Sequence, residues 1–271
     1  RDNTLMGELR TTGVVLQFTQ RNLWTANPTW TRDLTEKLVF KGSLQFFDAT
    51  YENSLRLGLV DYQFFGGSAG LLYHVTERDD VELSGTYTNF HTTNAPSGLR
   101  ASFPGAMLTV THAFTETLKA TAYGGPRFLS STTGRHGADQ TPHDTIWVYG
   151  ANLTQQFESA SLQFTLARDI LPSGFGMLLQ TDRVGVLASY NLSETLTASL
   201  ETSGYLTSGA SPRASGGTLS ETRLFYSTPK IAWKFSEWWS LEASYSYQWF
   251  HVESFAEPAM ANSMMFMLTY Y

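Results

Sequence analysis

The stretch Lys230–Trp249, KIAWKFSEWWSLEASYSYQW, carries the clearest structural pattern in this chain of 271 residues. From Trp239 onward, apolar and polar residues alternate at every position. The apolar series is Trp239, Leu241, Ala243, Tyr245, Tyr247 and Trp249, and the polar series is Ser240, Glu242, Ser244, Ser246 and Gln248. A period of two places each series on its own face of a β-strand. The stretch therefore predicts an amphipathic strand whose apolar face has a tryptophan at each end.

The length of that apolar face fits a lipid bilayer. Ten residues at ~3.3 Å each, tilted by ~40°, project to roughly 25 Å along the membrane normal. This is the height of the apolar band between the two aromatic girdles of outer-membrane β-barrels. Aromatic residues predicted to lie at the membrane interface are Trp147, Trp233, Trp239, Trp249 and Tyr271.

The composition narrows the class of protein further. Charged residues make up 15% of the chain, compared with about 25% in ordinary soluble domains. No apolar run approaches the ~18 residues that a membrane helix needs. The strands of a membrane barrel alternate apolar and polar residues, so they contain no such run. The net charge of −6 argues against a nucleic-acid partner. The absence of cysteine excludes disulfides and thiolate chemistry, and the start at Arg1 leads us to expect a processed or trimmed N-terminus.

A short turn recurs along the whole chain. Its copies are Thr35-Glu36, Thr76-Glu77, Thr115-Glu116, Phe157-Glu158, Ser193-Glu194 and Ser236-Glu237, with glutamates 36 to 43 residues apart. This period also fits a β-propeller, but each unit has only two long strands and lacks a Gly-His or Trp-Asp signature. The repeat therefore predicts six hairpins joined on the other side by longer polar loops.

Two further strands complete the predicted fold. An N-terminal strand around Thr12–Gln20 and a C-terminal strand ending at Tyr271 bring the total to fourteen; twelve or sixteen strands are the alternatives, the latter if Leu55–Phe65 forms another pair. We predict an all-β fold, in which residues 1–271 form a single closed antiparallel transmembrane β-barrel in a bacterial outer membrane. Short turns face the periplasm and longer loops the exterior. Pro229 lies inside a predicted strand, where we expect a bulge.

The polar face of these strands is the candidate functional surface. Alternation predicts an inward-facing charged set of Lys37, Lys41, Glu82, Lys119, Arg127, Arg183, Glu201, Lys230, Lys234 and Glu242. Seven cations against three anions favour passage of anions through a water-filled lumen. The alternative is that these charges pair across the barrel and stabilise a narrow, plugged interior.

Catalytic and metal chemistry have little support. The histidines fall in predicted loops or near turns, where a lone histidine is usually solvated, and no His/Asp/Glu cluster has metal-ligand spacing. The chain contains no motif that matches the Ser-His-Asn or Asp/His arrangements of the known barrel enzymes. We expect no enzymatic activity, no bound metal and no cofactor.

One loop resembles a more specific group of proteins. Arg168–Gly176, RDILPSGFG, follows a predicted strand, and Tyr190–Leu196, YNLSETL, forms the next turn; Ala95–Gly98, APSG, echoes the loop. Together they resemble the hairpins of outer-membrane barrels associated with exopolysaccharide and exosortase systems. The resemblance implies export of a polysaccharide and assigns no functional residue.

These observations lead to two functional hypotheses. The first is an outer-membrane pore or export conduit for polar, anionic solutes. The second is a structural sleeve or anchor that encloses or docks a periplasmic or surface protein partner and conducts nothing by itself. In both, the outer face contacts outer-membrane lipid and lipopolysaccharide.

Overall fold

The computed structural model describes residues 2–3, 12, 14, 19–94, 98–133, 143–210 and 220–270. Its strands are β1 (Asp2–Asn3), β2 (Gln20–Ala26), β3 (Thr29–Asp33), β4 (Leu38–Tyr51), β5 (Tyr62–His74), β6 (Asp79–Thr92), β7 (Leu99–Ser102), β8 (Gly105–Ala113), β9 (Leu118–Thr133), β10 (His143–Gln156), β11 (Ala160–Pro172), β12 (Leu178–Asn191), β13 (Leu196–Gly209), β14 (Thr222–Trp233), β15 (Trp239–Val252) and β16 (Ala259–Tyr270). One short helix, α1 (Ser54–Leu57), follows β4. Within these ranges no helix has the length and apolarity needed to cross a membrane.

The strands form one antiparallel sheet in chain order. Its hydrogen-bonded order has fourteen positions, because β3 continues β2 alongside β4, and β8 continues β7 between β6 and β9. Pro28 and Pro104 lie at these two interruptions, where a missing N–H breaks the ladder. The predicted all-β fold of about fourteen strands is confirmed. In the described residues each strand pairs with its neighbours in the sheet from β1 to β16, and no pairing joins β16 to β1 or β2.

The predicted N-terminal strand around Thr12–Gln20 is wrong in position. Among its described residues only Gln20 lies in a strand, and the fourteenth place in the sheet is taken by Asp2–Asn3, which pairs with β2. Thr12 and Val14 are instead buried, each 3% exposed. The Thr12 carbonyl accepts a hydrogen bond from the Thr207 hydroxyl at 2.6 Å, so Thr12 packs against the inner face of β13.

The recurring turn is built by its serine or threonine. The hydroxyl oxygens of Thr35, Thr76, Thr115, Ser193 and Ser236 each accept a hydrogen bond from the backbone N–H three residues later, at 2.9–3.1 Å. This is the local bond by which hydroxyl side chains favour turns. The glutamate that marks the repeat in the sequence is solvent-exposed in every copy. The sixth copy, Phe157-Glu158, has no hydroxyl and closes through a backbone bond from the Phe157 N–H to the Ala160 carbonyl at 2.7 Å.

The predicted bulge at Pro229 is also wrong. Pro229 pairs in register with Leu200 on β13. On the other side, the β14–β15 ladder stops after Ser227↔Tyr247 and resumes at Lys230↔Ser244 with the same register. Pro229 has no N–H, so hydrogen bonds of the ladder are missing at this point. No extra residue is inserted, and the strand does not bulge.

Alternation divides the sheet into an apolar outer face and a mixed inner face. On β11, Leu162, Phe164 and Leu166 are exposed on the outer face. On the inner face, the half near the short turns is polar, whereas the half near the long loops contains a buried apolar cluster. The cluster draws on many strands and includes Ala49, Tyr51, Leu59, Tyr62, Phe64, Phe90, Phe103, Leu129, Val148 and Leu179. The inner face therefore encloses a core at its long-loop end.

Candidate functional site: the inner face of the barrel

The strand register shows which side of the sheet the predicted charged set occupies. Eight of its ten residues lie within strands. Residues that pair directly across neighbouring strands share a face, and following these pairs from strand to strand places all eight on the inner face: Lys41, Glu82, Lys119, Arg127, Arg183, Glu201, Lys230 and Glu242. Lys37 and Lys234 lie just outside β4 and β14, exposed in the short turns. The inner face thus carries this charge along its whole width.

Each glutamate of this set has a partner on a nearby strand. Lys41 Nζ lies 3.0 Å from Glu82 Oε2, and Lys230 Nζ lies 3.3 Å from Glu242 Oε2. The Tyr226 hydroxyl donates to Glu201 Oε1 at 2.7 Å. All three contacts run along the wall between adjacent or next-nearest strands. The charges therefore reinforce the wall locally rather than bridging opposite walls.

A groove on the β11–β14 wall brings together two members of the set. It has a volume of about 440 Å³ and its lining includes Arg183, Glu201, Tyr205 and Tyr226. The two tyrosine rings stack with centroids 6.1 Å apart. The groove is thus a polar surface with a cation, an anion and two phenol groups.

The larger cavity lies nearer the long loops, inside the curve of β2 to β11. Its volume is about 480 Å³, within the range of small-molecule sites. Aromatic and aliphatic walls are supplied by Leu23, Phe47, Tyr62, Phe64, Phe103 and Val148. Its charged lining residues are Arg21, Arg127 and Asp169. An apolar pocket with a few convergent charged groups is the usual form of a specific ligand site.

Arg127 is the most unusual member of this cavity. Its Nη1 is buried and has no hydrogen-bond acceptor among the residues that the structure describes. The side chain passes over Gly105, where a Cβ atom would lie 2.7 Å from Arg127 Cδ. A buried guanidinium nitrogen without an acceptor is costly, and such groups in folded proteins are usually satisfied by a partner.

Two long loops meet above the cavity. Val60, which follows α1, donates its backbone N–H to the Gly174 carbonyl in the β11–β12 loop at 2.7 Å. Gly176 has φ +73° and lies against Val60, where a Cβ would come within 3.1 Å. β4 and β11 are the third and ninth positions of the sheet, so this contact joins distant walls. We call residues 52–61 and 173–177 the lid.

The first lid loop is held in place by Asp61. Its carboxylate accepts hydrogen bonds from the Tyr51 N–H at 2.9 Å and from the Asn94 amide at 2.8 Å. Burial raises the pKa of the Asp61 carboxyl, and the charge of Asp48 raises it further. The loop is thereby tied to the β6–β7 connection as well as to the second lid loop.

Sequence reasoning missed two of the three charged cavity residues and the role of the lid. Arg21 is 6% exposed, but it lies just after the stretch Thr12–Gln20 and was not included in the predicted inward-facing set. Asp169 belongs to the quoted RDILPSGFG motif, to which no role could be assigned. Continuing the inward parity of Gln163 and Thr165 along β11 would have placed Asp169 inside.

A bidentate ion pair lies on the outer face between β11 and β12. Arg168 bonds Asp182 through two parallel hydrogen bonds, at 2.5 Å from Nε and 2.6 Å from Nη2. Its guanidinium carbon lies 5.2 Å from the centre of the Tyr149 ring. Along β11, Arg168 comes after the apolar outer residues, on the side of the long loops. In a membrane barrel, this level lies near the lipid headgroups.

The predicted interface aromatics occupy this same outer face. Trp147, Trp233 and Trp239 are 62%, 48% and 39% exposed, and Trp249 shares their side of the sheet. Tyr271 lies outside the described residues. Their position at a membrane interface stays a prediction.

Two histidines near a short turn each pair with an aspartate. His74 Nδ1 lies 2.6 Å from Asp80 Oδ1, and His112 Nδ1 lies 2.6 Å from Asp79 Oδ1, both near a short turn. In the part of the chain that the structure describes, no group of three His, Cys, Asp or Glu side chains could hold a metal ion. His136 lies outside that part.

Comparison with known proteins gives a match in fold. No protein-family model matches the chain. No curated protein matches it in sequence. Among solved structures, the copper transporter OprC matches with a TM-score of 0.63 and 12% identity, covering 94% of this chain and 50% of OprC.

Two further structures give a similar match. BauA, the ferric preacinetobactin receptor from Acinetobacter baumannii, gives a TM-score of 0.55 at 11% identity, covering 88% of this chain and 46% of BauA. The FrpB iron transporter from Neisseria meningitidis gives 0.54 at 9% identity, covering 91% of this chain and 45% of FrpB. The chain spans about half the length of these solved barrels. It has the fold of Gram-negative outer-membrane β-barrels, and with its apolar outer face this supports the predicted outer-membrane localisation.

Proposed function

We propose that the protein is an outer-membrane transport barrel that passes polar, preferentially anionic solutes along its inner face. The observation that carries this is the inward-facing charged set, in which all three glutamates are engaged by a neighbouring lysine or tyrosine. In the predicted set cations outnumber anions by seven to three, and with Arg21, Asp33, Asp80, Asp144 and Asp169, which the register also turns inward, the described inner face carries eight cations and seven anions. Low-dielectric walls focus the resulting field and raise the local concentration of anions.

The remaining parts of the proposal follow from the same reading. Residues 1–271 act as one barrel domain without enzymatic activity or cofactor, in contact with outer-membrane lipid and lipopolysaccharide and not with nucleic acid. Two of the solved neighbours are a copper transporter and an iron transporter, which supports transport as the class of function. Polysaccharide export rests on the resemblance of the RDILPSGFG loop alone.

Ion selectivity in planar bilayers tests the proposal. The chain carrying Lys37→Gln, Lys41→Gln, Lys119→Gln and Arg183→Gln should lose its anion preference, so that the anion-to-cation permeability ratio moves toward unity. Arg32→Gln is the matched control, because the register places Arg32 on the outer face. Selectivity that stays unchanged after all four substitutions would show that these residues do not face the conducting path.

A second candidate function is supported by the packing of the long-loop half. Thr12 and Val14 lie buried on the inner face within or beside the apolar cluster, as a segment filling a sleeve would. Under this alternative, the barrel anchors or encloses a periplasmic or surface protein and conducts nothing alone. A purified barrel that inserts into bilayers without any conductance would favour the sleeve and exclude the pore.

A further inference from the structure

The cavity beneath the lid combines three features that no part of the transport proposal requires. It is enclosed mainly by aromatic and aliphatic side chains, it contains a guanidinium nitrogen without an acceptor, and two loops from distant walls meet above it. A water-filled passage for small ions needs none of these. Together they are the features of a site for a particular molecule.

The walls indicate an apolar ligand with a flat shape. Phe47 and Phe64 lie with ring centroids 5.5 Å apart, and Phe64 and Phe103 lie 6.2 Å apart, both in tilted arrangements. Tyr62 borders the same space. At these spacings the rings already contact one another and form a continuous aromatic wall, on whose cavity side a further ring can make offset or edge-on contact. A ligand with an aromatic ring would therefore find favourable contacts on several sides.

The charged lining indicates an anionic group on that ligand. The lining contains two cations, Arg21 and Arg127, and one anion, Asp169, whose charge acts on Arg127. The planar guanidinium of arginine matches a carboxylate through two parallel hydrogen bonds. A ligand carboxylate at Arg127 would supply an acceptor to its buried Nη1.

We propose that this cavity is a binding site for an aromatic monocarboxylate, with the ring against the wall formed by Phe47, Phe64 and Phe103 and the carboxylate on Arg127. This inference rests on the proposed transport function, because it names the class of solute that the inner face selects. The cavity lining at Tyr62 and Pro172 continues directly into the two lid loops, so a bound ligand lies next to the lid.

The test is equilibrium binding to the full chain in lipid nanodiscs, with 2-naphthoate as the probe. Calorimetry should give saturable binding of 2-naphthoate, with affinity at least about tenfold higher than for naphthalene-2-carboxamide, which lacks the charge. Glucuronate, which places a carboxylate on a polar ring, should bind at least about tenfold more weakly than the probe.

Variants assign the binding to the cavity. Arg127→Gln should weaken 2-naphthoate binding by about tenfold or more while leaving the carboxamide unaffected. Phe103→Leu should weaken both naphthalene compounds. Arg32→Gln, which removes a cation on the outer face away from the cavity lining, should leave both affinities unchanged. The heat-dependent electrophoretic mobility of each variant reports whether the barrel has folded.

Several outcomes would overturn the proposal. Equal binding of the acid and the carboxamide, untouched by Arg127→Gln in a folded barrel, would mean partition into lipid. Tighter binding of glucuronate than of 2-naphthoate would assign the cavity to acidic sugars. A barrel that conducts anions but binds no 2-naphthoate would refute this inference alone, whereas one that binds the probe without conducting would refute only the transport proposal.

Discussion

At the scale of single residues, alternation decides the environment of each side chain. Phe64 and Phe65 are neighbours in β5, yet Phe64 is 7% exposed and Phe65 is 47% exposed. The reason is that successive side chains of a strand point to opposite faces. Phe64 therefore packs in the protein core, whereas Phe65 faces outward, where lipid replaces protein as its surroundings.

Phe90 offers a direct test of the core at the long-loop end. It is fully buried and contacts the Tyr62 ring at a centroid distance of 5.6 Å. Phe90→Ala should lower the free energy of unfolding by about 3–5 kcal/mol, because it removes apolar contacts and leaves a cavity. Urea titration of the barrel in lipid vesicles, followed by tryptophan fluorescence, measures this loss.

The matched control is Phe65→Ala on the outer face of the neighbouring strand. Lipid chains can fill the space that this substitution leaves, so the term for an empty cavity is absent and the loss should be smaller. Equal losses for the two variants would contradict the assignment of inner and outer faces.

At the scale of elements, the hairpins owe their regularity to local chemistry and their interruptions to single residues. A serine or threonine hydroxyl bonds the backbone in five of the six short turns. Pro104 separates β7 from β8, and close to it β9 approaches β8 at Gly125, where a Cβ would lie only 1.8 Å from the Ala106 carbonyl oxygen. Glycine is needed at this position because the other backbone occupies the space of a side chain.

Gly125→Ala should therefore destabilise the β8–β9 ladder. The obstacle is backbone rather than a flexible side chain, so the cost should reach or exceed the ~1–3 kcal/mol usual for overpacking. Gly204→Ala is the control, because nothing lies within 4 Å of a Cβ built there. The folded fraction of each variant after refolding into detergent micelles, read from heat-dependent electrophoretic mobility, distinguishes them. Identical folded fractions would show that the strands can shift to accept the methyl group.

At the scale of the whole molecule, the lid connects walls that the sheet itself keeps far apart. Because the Val60 N–H and the Gly174 carbonyl form a hydrogen bond, their Cα atoms come within the separation of about 4.4–6.8 Å that a disulfide spans. The chain has no cysteine of its own. The double variant Val60→Cys, Gly174→Cys should therefore cross-link on oxidation without competing thiols.

Cross-linking should hold the lid shut. In single-channel recordings, opening events of the reduced double variant should disappear on oxidation and return with a reducing agent. The single variant Val60→Cys should respond to neither treatment. Opening that persists in the fully oxidised double variant would show that the lid does not control passage.

The sequence alone determined the strand architecture and the two faces. These follow from local rules, since alternation at Trp239–Trp249 assigns each side chain to a face and the hydroxyl at Ser236 closes the preceding turn. The same rules fail at the strand predicted around Thr12–Gln20: Thr12 and Val14 are buried, and among the described residues of that stretch only Gln20 lies in a strand.

Only the tertiary structure decided what the inner face encloses. The cavity brings Arg21, Arg127 and Asp169 together from β2, β9 and β11, and the lid joins Val60 to Gly174; each contact links positions far apart in the chain. Such contacts depend on how the sheet curves and on which loops reach across it, and both depend on the packing of all strands together. The alternation in Lys230–Trp249 fixes which way its side chains point, but what faces them across the interior is set by the rest of the barrel.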